Sequence, residues 1–180
     1  MKRRSLLVLG ILTLLILLFL AGPRVTVEHR PYAEVLPDDL ISHLAASEAA
    51  YPDITPGAEK TIIWANPQHQ QTELAIVYLH GFSATRQETA PLCDDLAVSL
   101  AANLFDTRLT GHGRSNAAMA EASAGDWLTD AEEALAIGKR LGRKVIIIGT
   151  STGGTLATWL AATQNDPQVL AYVLLSPNFA

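Results

Sequence analysis

Residues 146–154 read IIIGTSTGG, three isoleucines running into Gly149, Thr150, Ser151, Thr152 and Gly153. A serine between two glycines, where an apolar run ends and a helical pattern begins, has the setting of a nucleophile on a sharp strand-to-helix turn. The turn forces the serine into a strained backbone conformation. Gly149 and Gly153 let strand and helix approach closely, and the hydroxyl projects from the carboxyl end of the sheet. The helix N-terminus behind it favours the negative charge that develops when a carbonyl is attacked.

A serine hydroxyl is a weak nucleophile at neutral pH unless a base takes its proton. The five histidines, at 29, 43, 69, 80 and 112, all precede Ser151. Beyond Ser151 there is no histidine and no glutamate, and Asp166 is the one aspartate. His29, His43 and His69 lie in polar or irregular stretches and read as solvated. Two further segments carry candidate chemistry: an apolar run ending in His80-Gly81-Phe82-Ser83, and the glycine-rich turn Thr110-Gly111-His112-Gly113-Arg114-Ser115.

The elements that must position these residues follow from hydrophobic period and breakers. Asp38-Asp39 open an amphipathic helix through about Ala50. Thr61–Ala65, Leu74–Leu79, Leu104-Phe105, Val145–Gly149 and Val169–Leu175 read as short strands. Helices are expected over about Thr89–Ala102, with Pro91 in the first turn, from Asp126 to the stop at Gly142, and over Thr152–Ala162. Short buried strands alternating with helices predict an α/β fold, a mostly parallel sheet covered on both faces.

Composition narrows the function. The 180 residues are 49% hydrophobic with a formal net charge of −5, which argues against nucleic acid as a partner. Neither a G-x-G-x-x-G run nor a phosphate-binding lysine motif is present, and no metal or cofactor is called for. The single Cys93 forms no intramolecular disulfide. Lys2-Arg3-Arg4 precede Leu6–Ala21, which holds no charge and only Gly10 and Thr13 as non-apolar residues. Positive flank and apolar run predict a signal-anchor or transmembrane segment over 1–22, uncleaved because Phe19 or Leu20 would occupy the −3 position of the available cleavage sites. The body would then face outward, periplasmic or extracellular; secretion after cleavage is the alternative. Residues 23–54 read as a stalk and an amino-terminal helix, and 55–180 as the folded domain.

Taken together and in this order, the His-Gly strand end, the Gly-His-Gly turn and the G-x-S-x-G elbow resemble the α/β-hydrolase superfamily. The most similar group is that of bacterial lysophospholipases, monoacylglycerol lipases and serine aminopeptidases. The resemblance implies Ser151 as the catalytic nucleophile, with the backbone N–H groups of Phe82 and Thr152 as oxyanion hole. It also implies an oxyanion loop containing His80 and Gly81, and an acyl or ester substrate. Arg108 stands where the family often has an aspartate, so the Gly-His-Gly turn is given no catalytic role. In the family the acid and the histidine base follow the serine in sequence. The resemblance therefore implies a sheet of which the first six strands are present and the carboxy-terminal strands lacking. It also implies a chain truncated before its acid and base, inactive alone. A non-catalytic α/β-hydrolase-like scaffold or binding protein is the alternative.

Overall fold

The computed structural model describes residues 2–22 and 26–179. Among them five strands form one sheet in the order β1-β3-β2-β4-β5, with β1 Thr61–Ile63, β2 Thr72–Leu79, β3 Asn103–Asp106, β4 Gly142–Thr150 and β5 Val169–Leu175. The four strands from β2 to β5 pair in parallel, and β1 lies antiparallel on β3. The parallel α/β expectation is met, with five strands where six were expected. β5 forms an edge of the sheet and leaves Leu170, Val173 and Leu174 exposed.

The two faces follow the period of two along each buried strand. Ala75, Val77 and Leu79 of β2, with Val145 and Ile147 of β4, point into one core. That core is closed by α5 (Ala124–Leu141) and α6 (Thr152–Thr163), through Ala131, Ala134, Ile137, Leu156, Ala157 and Leu160. Ile76, Tyr78, Leu104 and Ile148 point to the other face, against Cys93 and Ala97 of α3 (Leu92–Ser99). α3 begins one residue after Pro91, so the proline precedes the first turn and does not lie inside it. A short helix, α4 (Asn116–Glu121), follows the Gly-His-Gly turn.

Local chemistry sets the helix ends. Asp39 caps α2 (Leu40–Ala49) by accepting from Ser42 N–H at 3.0 Å. Ser123 and Asp126 form a reciprocal capping box at the start of α5, which satisfies two otherwise orphaned donors. α2 is tied to the body by a buried bidentate pair, in which Arg108 Nε and a terminal nitrogen each donate to Glu48 at 2.8 Å. Burial pushes the Glu48 carboxyl up, but the Arg108 hydrogen bonds and charge hold it below its ordinary value. Arg108 thus has a structural partner 60 residues upstream and also donates to the His112 carbonyl.

Residues 26–37 contain no regular element and lie along α5. The Glu132 carboxylate accepts from Tyr32 N–H at 2.7 Å and meets His29 Nε2 at 3.2 Å, and Thr129 donates to the Arg30 carbonyl. His29 is therefore partnered and not simply solvated. His43 lies 3.8 Å from Glu34, and His69 stacks on Trp64 with ring centroids 4.8 Å apart.

The amino-terminal α1 spans Lys2–Ala21. Among the described residues no helix is long and apolar enough to cross a membrane, so the expected crossing segment is not found there. The charge-free stretch from residue 5 to residue 21 reaches about 26 Å at 1.5 Å per residue, against ~30 Å of hydrocarbon core. Its large apolar side chains from Leu6 to Leu20 are nonetheless 51–84% exposed.

Candidate active site

β4 ends at Thr150 and α6 starts at Thr152, and Ser151 alone makes the turn, with φ 50° and ψ −113°. Positive φ costs a non-glycine residue roughly 1–3 kcal/mol and persists only where the surroundings over-determine it. Here they do. Ser151 N–H donates to the Leu175 carbonyl on β5 at 2.9 Å, and its own carbonyl accepts from Thr155 N–H at 3.1 Å and Asn178 N–H at 3.2 Å. The glycines are required by contact. A methyl group at Gly149 would lie 2.3 Å from the Gly153 carbonyl oxygen, and one at Gly153 would lie 1.9 Å from the Leu79 carbonyl oxygen. α6 therefore starts directly against the end of β2, beside His80 and Gly81.

An oxyanion hole needs N–H groups that the rest of the fold does not engage. Among the described residues, no acceptor engages the N–H groups of Thr152, Gly153 and Gly154 at the head of α6, nor that of Phe82. Gly81 abuts the serine: a methyl group built on it would sit 3.3 Å from Ser151 Cβ. No described side chain is hydrogen-bonded to the Ser151 hydroxyl.

His80 is fully buried, and its two nitrogens are both committed. Nε2 lies 3.1 Å from Leu109 N–H and must accept from it, so the ring proton is on Nδ1, which donates to the Gly81 carbonyl at 2.9 Å. Burial lowers the His80 pKa from 6.5 to about 4, helped by the nearby His112 and Arg108 and opposed by the Gly81 hydrogen bond. The ring is neutral at pH 7 and has no nitrogen free for Ser151. In a trans peptide the C=O and N–H point opposite ways. Fixing the Gly81 carbonyl on His80 therefore turns the Phe82 N–H away from that ring.

An aromatic cluster backs this loop. His112 lies 4.8 Å from the His80 ring and 6.0 Å from Phe82, while Trp127 lies 5.4 Å from His112 and 6.0 Å from Phe82. His112 Nδ1 meets the Thr110 carbonyl at 3.2 Å, and Trp127 Nε1 donates to the same oxygen at 3.0 Å. On its outer side, Phe82 borders a cleft of about 440 Å³ shared with Ser83, Thr85, Gln87, Arg114 and Met119.

The structure thus gathers Ser151, Thr152, Gly149, Gly153, His80, Gly81 and Phe82 at one end of the sheet. It leaves His29, His43 and His69 elsewhere. Sequence reasoning did not single out Glu88, Tyr78 and Thr150. Glu88 accepts from Gly81 N–H and from Tyr78 O–H, each at 2.8 Å, and the Tyr78 oxygen lies 3.1 Å from Thr150 Oγ1.

Comparison with known proteins settles the kinship. Residues 70–180, more than half of the chain, match the family described as serine aminopeptidase, S33. The chain belongs to this family. It is thereby an α/β-hydrolase superfamily member. Over 93 residues it is 29% identical to the thermostable monoacylglycerol lipase of Bacillus sp. (strain H-257), covering 52% of this chain and 37% of that protein. A structure described under LipS and LipT, two metagenome-derived lipolytic enzymes, aligns with TM-score 0.53 and 29% identity, over 60% of this chain and 41% of that one. Est1E from Butyrivibrio proteoclasticus, solved with ferulic acid, aligns with TM-score 0.55 and 20% identity, over 66% and 48%; it supports the fold alone. The chain spans less than half the length of these relatives.

The commitment of His80 generates a pH prediction. Between pH 6.5 and 4 the unfolded chain takes up a proton at residue 80 that the folded chain refuses. The stability attached to the neutral ring is complete above pH 6.5 and is lost as pH falls towards 4. The stability difference between the protein and its His80→Gln variant, from urea unfolding, should shrink by ~3 kcal/mol from pH 7 to pH 4. A difference that does not change with pH would show that the ring titrates normally.

Proposed function

We propose that this chain supplies the nucleophile and oxyanion hole of a serine hydrolase that cleaves carboxylic esters. The observation that carries the reading is Ser151 at φ 50°, alone between strand and helix, with the free N–H of Thr152 beside it and the Gly81-Phe82 loop against it. Strain of this kind at a half-buried turn is characteristic of a group held ready for chemistry. The ester preference is drawn from the relatives, a monoacylglycerol lipase and lipolytic enzymes by name.

In this reading Ser151 Oγ attacks the acyl carbon and gives its proton to a general base. His80 cannot serve, because both its nitrogens are engaged. The carbonyl oxygen becomes an oxyanion held by the N–H groups of Phe82 and Thr152, each worth about 3 kcal/mol to the transition state. Collapse expels the alcohol, which takes the proton, and water then releases the acid from the acyl-serine. The cleft beyond Phe82 offers room for the part of the ester remote from the scissile bond.

We further propose that α1 associates with membranes. The apolar surface from Leu6 to Leu20, interrupted at Gly10 and Thr13 and open on all sides, is larger than soluble monomers ordinarily expose. Lys2, Arg3 and Arg4 beside it suit the headgroup layer.

The whole protein should hydrolyse p-nitrophenyl butyrate, and Ser151→Ala should reduce kcat by about 10⁴-fold or more. Undiminished turnover in that variant would remove Ser151 from the chemistry. Preferential cleavage of aminoacyl p-nitroanilides would overturn the ester reading. For α1, the protein should sediment with membranes and stay there at high salt, while a form lacking residues 1–21 is released. Equal partition of both forms would contradict the membrane role.

A further inference from the structure

We propose that Glu88 is a positioning residue of the oxyanion hole: its carboxylate occupies the Gly81 N–H and so leaves the Phe82 N–H as the loop's free donor. This deepens the reading of Ser151 as nucleophile and rests on it. Two neighbouring N–H groups, those of Gly81 and Phe82, lie where an oxyanion loop must present one. Gly81 N–H is taken by Glu88 Oε2 at 2.8 Å and the Gly81 carbonyl by His80 Nδ1–H at 2.9 Å. With both ends of Gly81 fixed, the following peptide has one orientation.

The same carboxylate reaches the elbow. Tyr78 O–H donates to Glu88 at 2.8 Å and its oxygen lies 3.1 Å from Thr150 Oγ1, on the residue before the nucleophile. The Tyr78 side chain is fully buried, and burial raises its pKa well above the ordinary value, so it keeps its proton as a donor. One side chain therefore fastens the loop and the strand end that carry the two halves of the hole.

Glu88 is itself held from behind. It ends the 3-10 turn Arg86–Glu88, whose Arg86 donates to Asp106 at 2.7 Å and Asp94 at 3.2 Å, anchoring the turn to β3 and α3. Hydrogen bonds to an ionised acceptor are about twice as strong as neutral ones, which suits a clamp that must hold position while charge develops nearby. Among the described residues Glu88 makes no hydrogen bond to Ser151, and in the mechanism above it does not engage the substrate.

Two readouts on the whole protein test this. By NMR, Gly81 N–H exchange should be slow in the unsubstituted protein and in Glu88→Gln, whose amide oxygen still accepts. It should accelerate about tenfold or more in Glu88→Ala and Glu88→Met, which have no acceptor. In ester hydrolysis, Glu88→Ala and Glu88→Met should lose kcat by about 10–100-fold with KM within twofold, and Glu88→Gln should recover most of it. Glu88→Met keeps the length of the side chain, so it decides the matter if the alanine variant folds poorly. Gly81 exchange that is unchanged in Ala and Met, or equally fast in Gln, overturns the clamp, as does an effect confined to KM. Absence of Ser151-dependent hydrolysis in the unsubstituted protein would refute the nucleophile reading, while the exchange rates would still decide whether Glu88 holds the loop.

Discussion

Two backbones meeting with no room for a side chain between them set the geometry of the site. The first turn of α6 lies so close to the end of β2 that a single methyl group at Gly153 would be 1.9 Å from the Leu79 carbonyl oxygen. A helix can start that near a neighbouring strand only if its own strand turns sharply into it. The residue at the corner then has to accept positive φ, and Ser151 does. The hydrogen bond from Ser151 N–H to Leu175 ties the corner to β5 as well. Strain at the serine is thus the local consequence of a global fit between β2, β4, β5 and α6.

The same closeness delivers the loop after β2. β2 runs straight into His80-Gly81-Phe82, so the contact that places α6 also places Gly81 against Ser151. What remains is to orient the peptide after Gly81. A buried neutral histidine on one side and a carboxylate on the other do this, each through one end of Gly81. The two differ in kind. His80 works because burial removes its charge, whereas Glu88 sits in the more exposed 3-10 turn and is steered by the Arg86 ion pairs that fix that turn. Trp127 and His112 fill the space behind, so the loop rests on rigid aromatic surface.

The sheet was legible in the sequence because its strands are short, β-rich and bounded by breakers. Ile146–Ile148 before Gly149 could hardly be anything but a buried strand entering a turn. The elbow was legible because its glycines are forced by contact and leave a mark at fixed spacing. Glu88 and Arg108 were not. Glu88 lies in a polar stretch, TRQET, where nothing in residue type distinguishes it from a solvated acid. The Arg108–Glu48 pair joins residues 60 positions apart, and no local pattern links them. Arg108 showed only as a departure from the family's usual aspartate; its partner became visible once α2 was seen against the turn. The histidines misled in a similar way. His29 and His69 lie in polar or irregular stretches, yet each has a definite neighbour, Glu132 and Trp64, brought to it by the fold.

The central claim is that the strained Ser151 is the nucleophile, and covalent capture tests it most directly. The whole protein would be treated with a fluorophosphonate, which phosphonylates only an activated serine, and the adduct located by peptide mass spectrometry. A single adduct on Ser151 is expected, and none when the protein is denatured before treatment. Labelling at another residue, or none under conditions in which the protein hydrolyses ester, would contradict the claim.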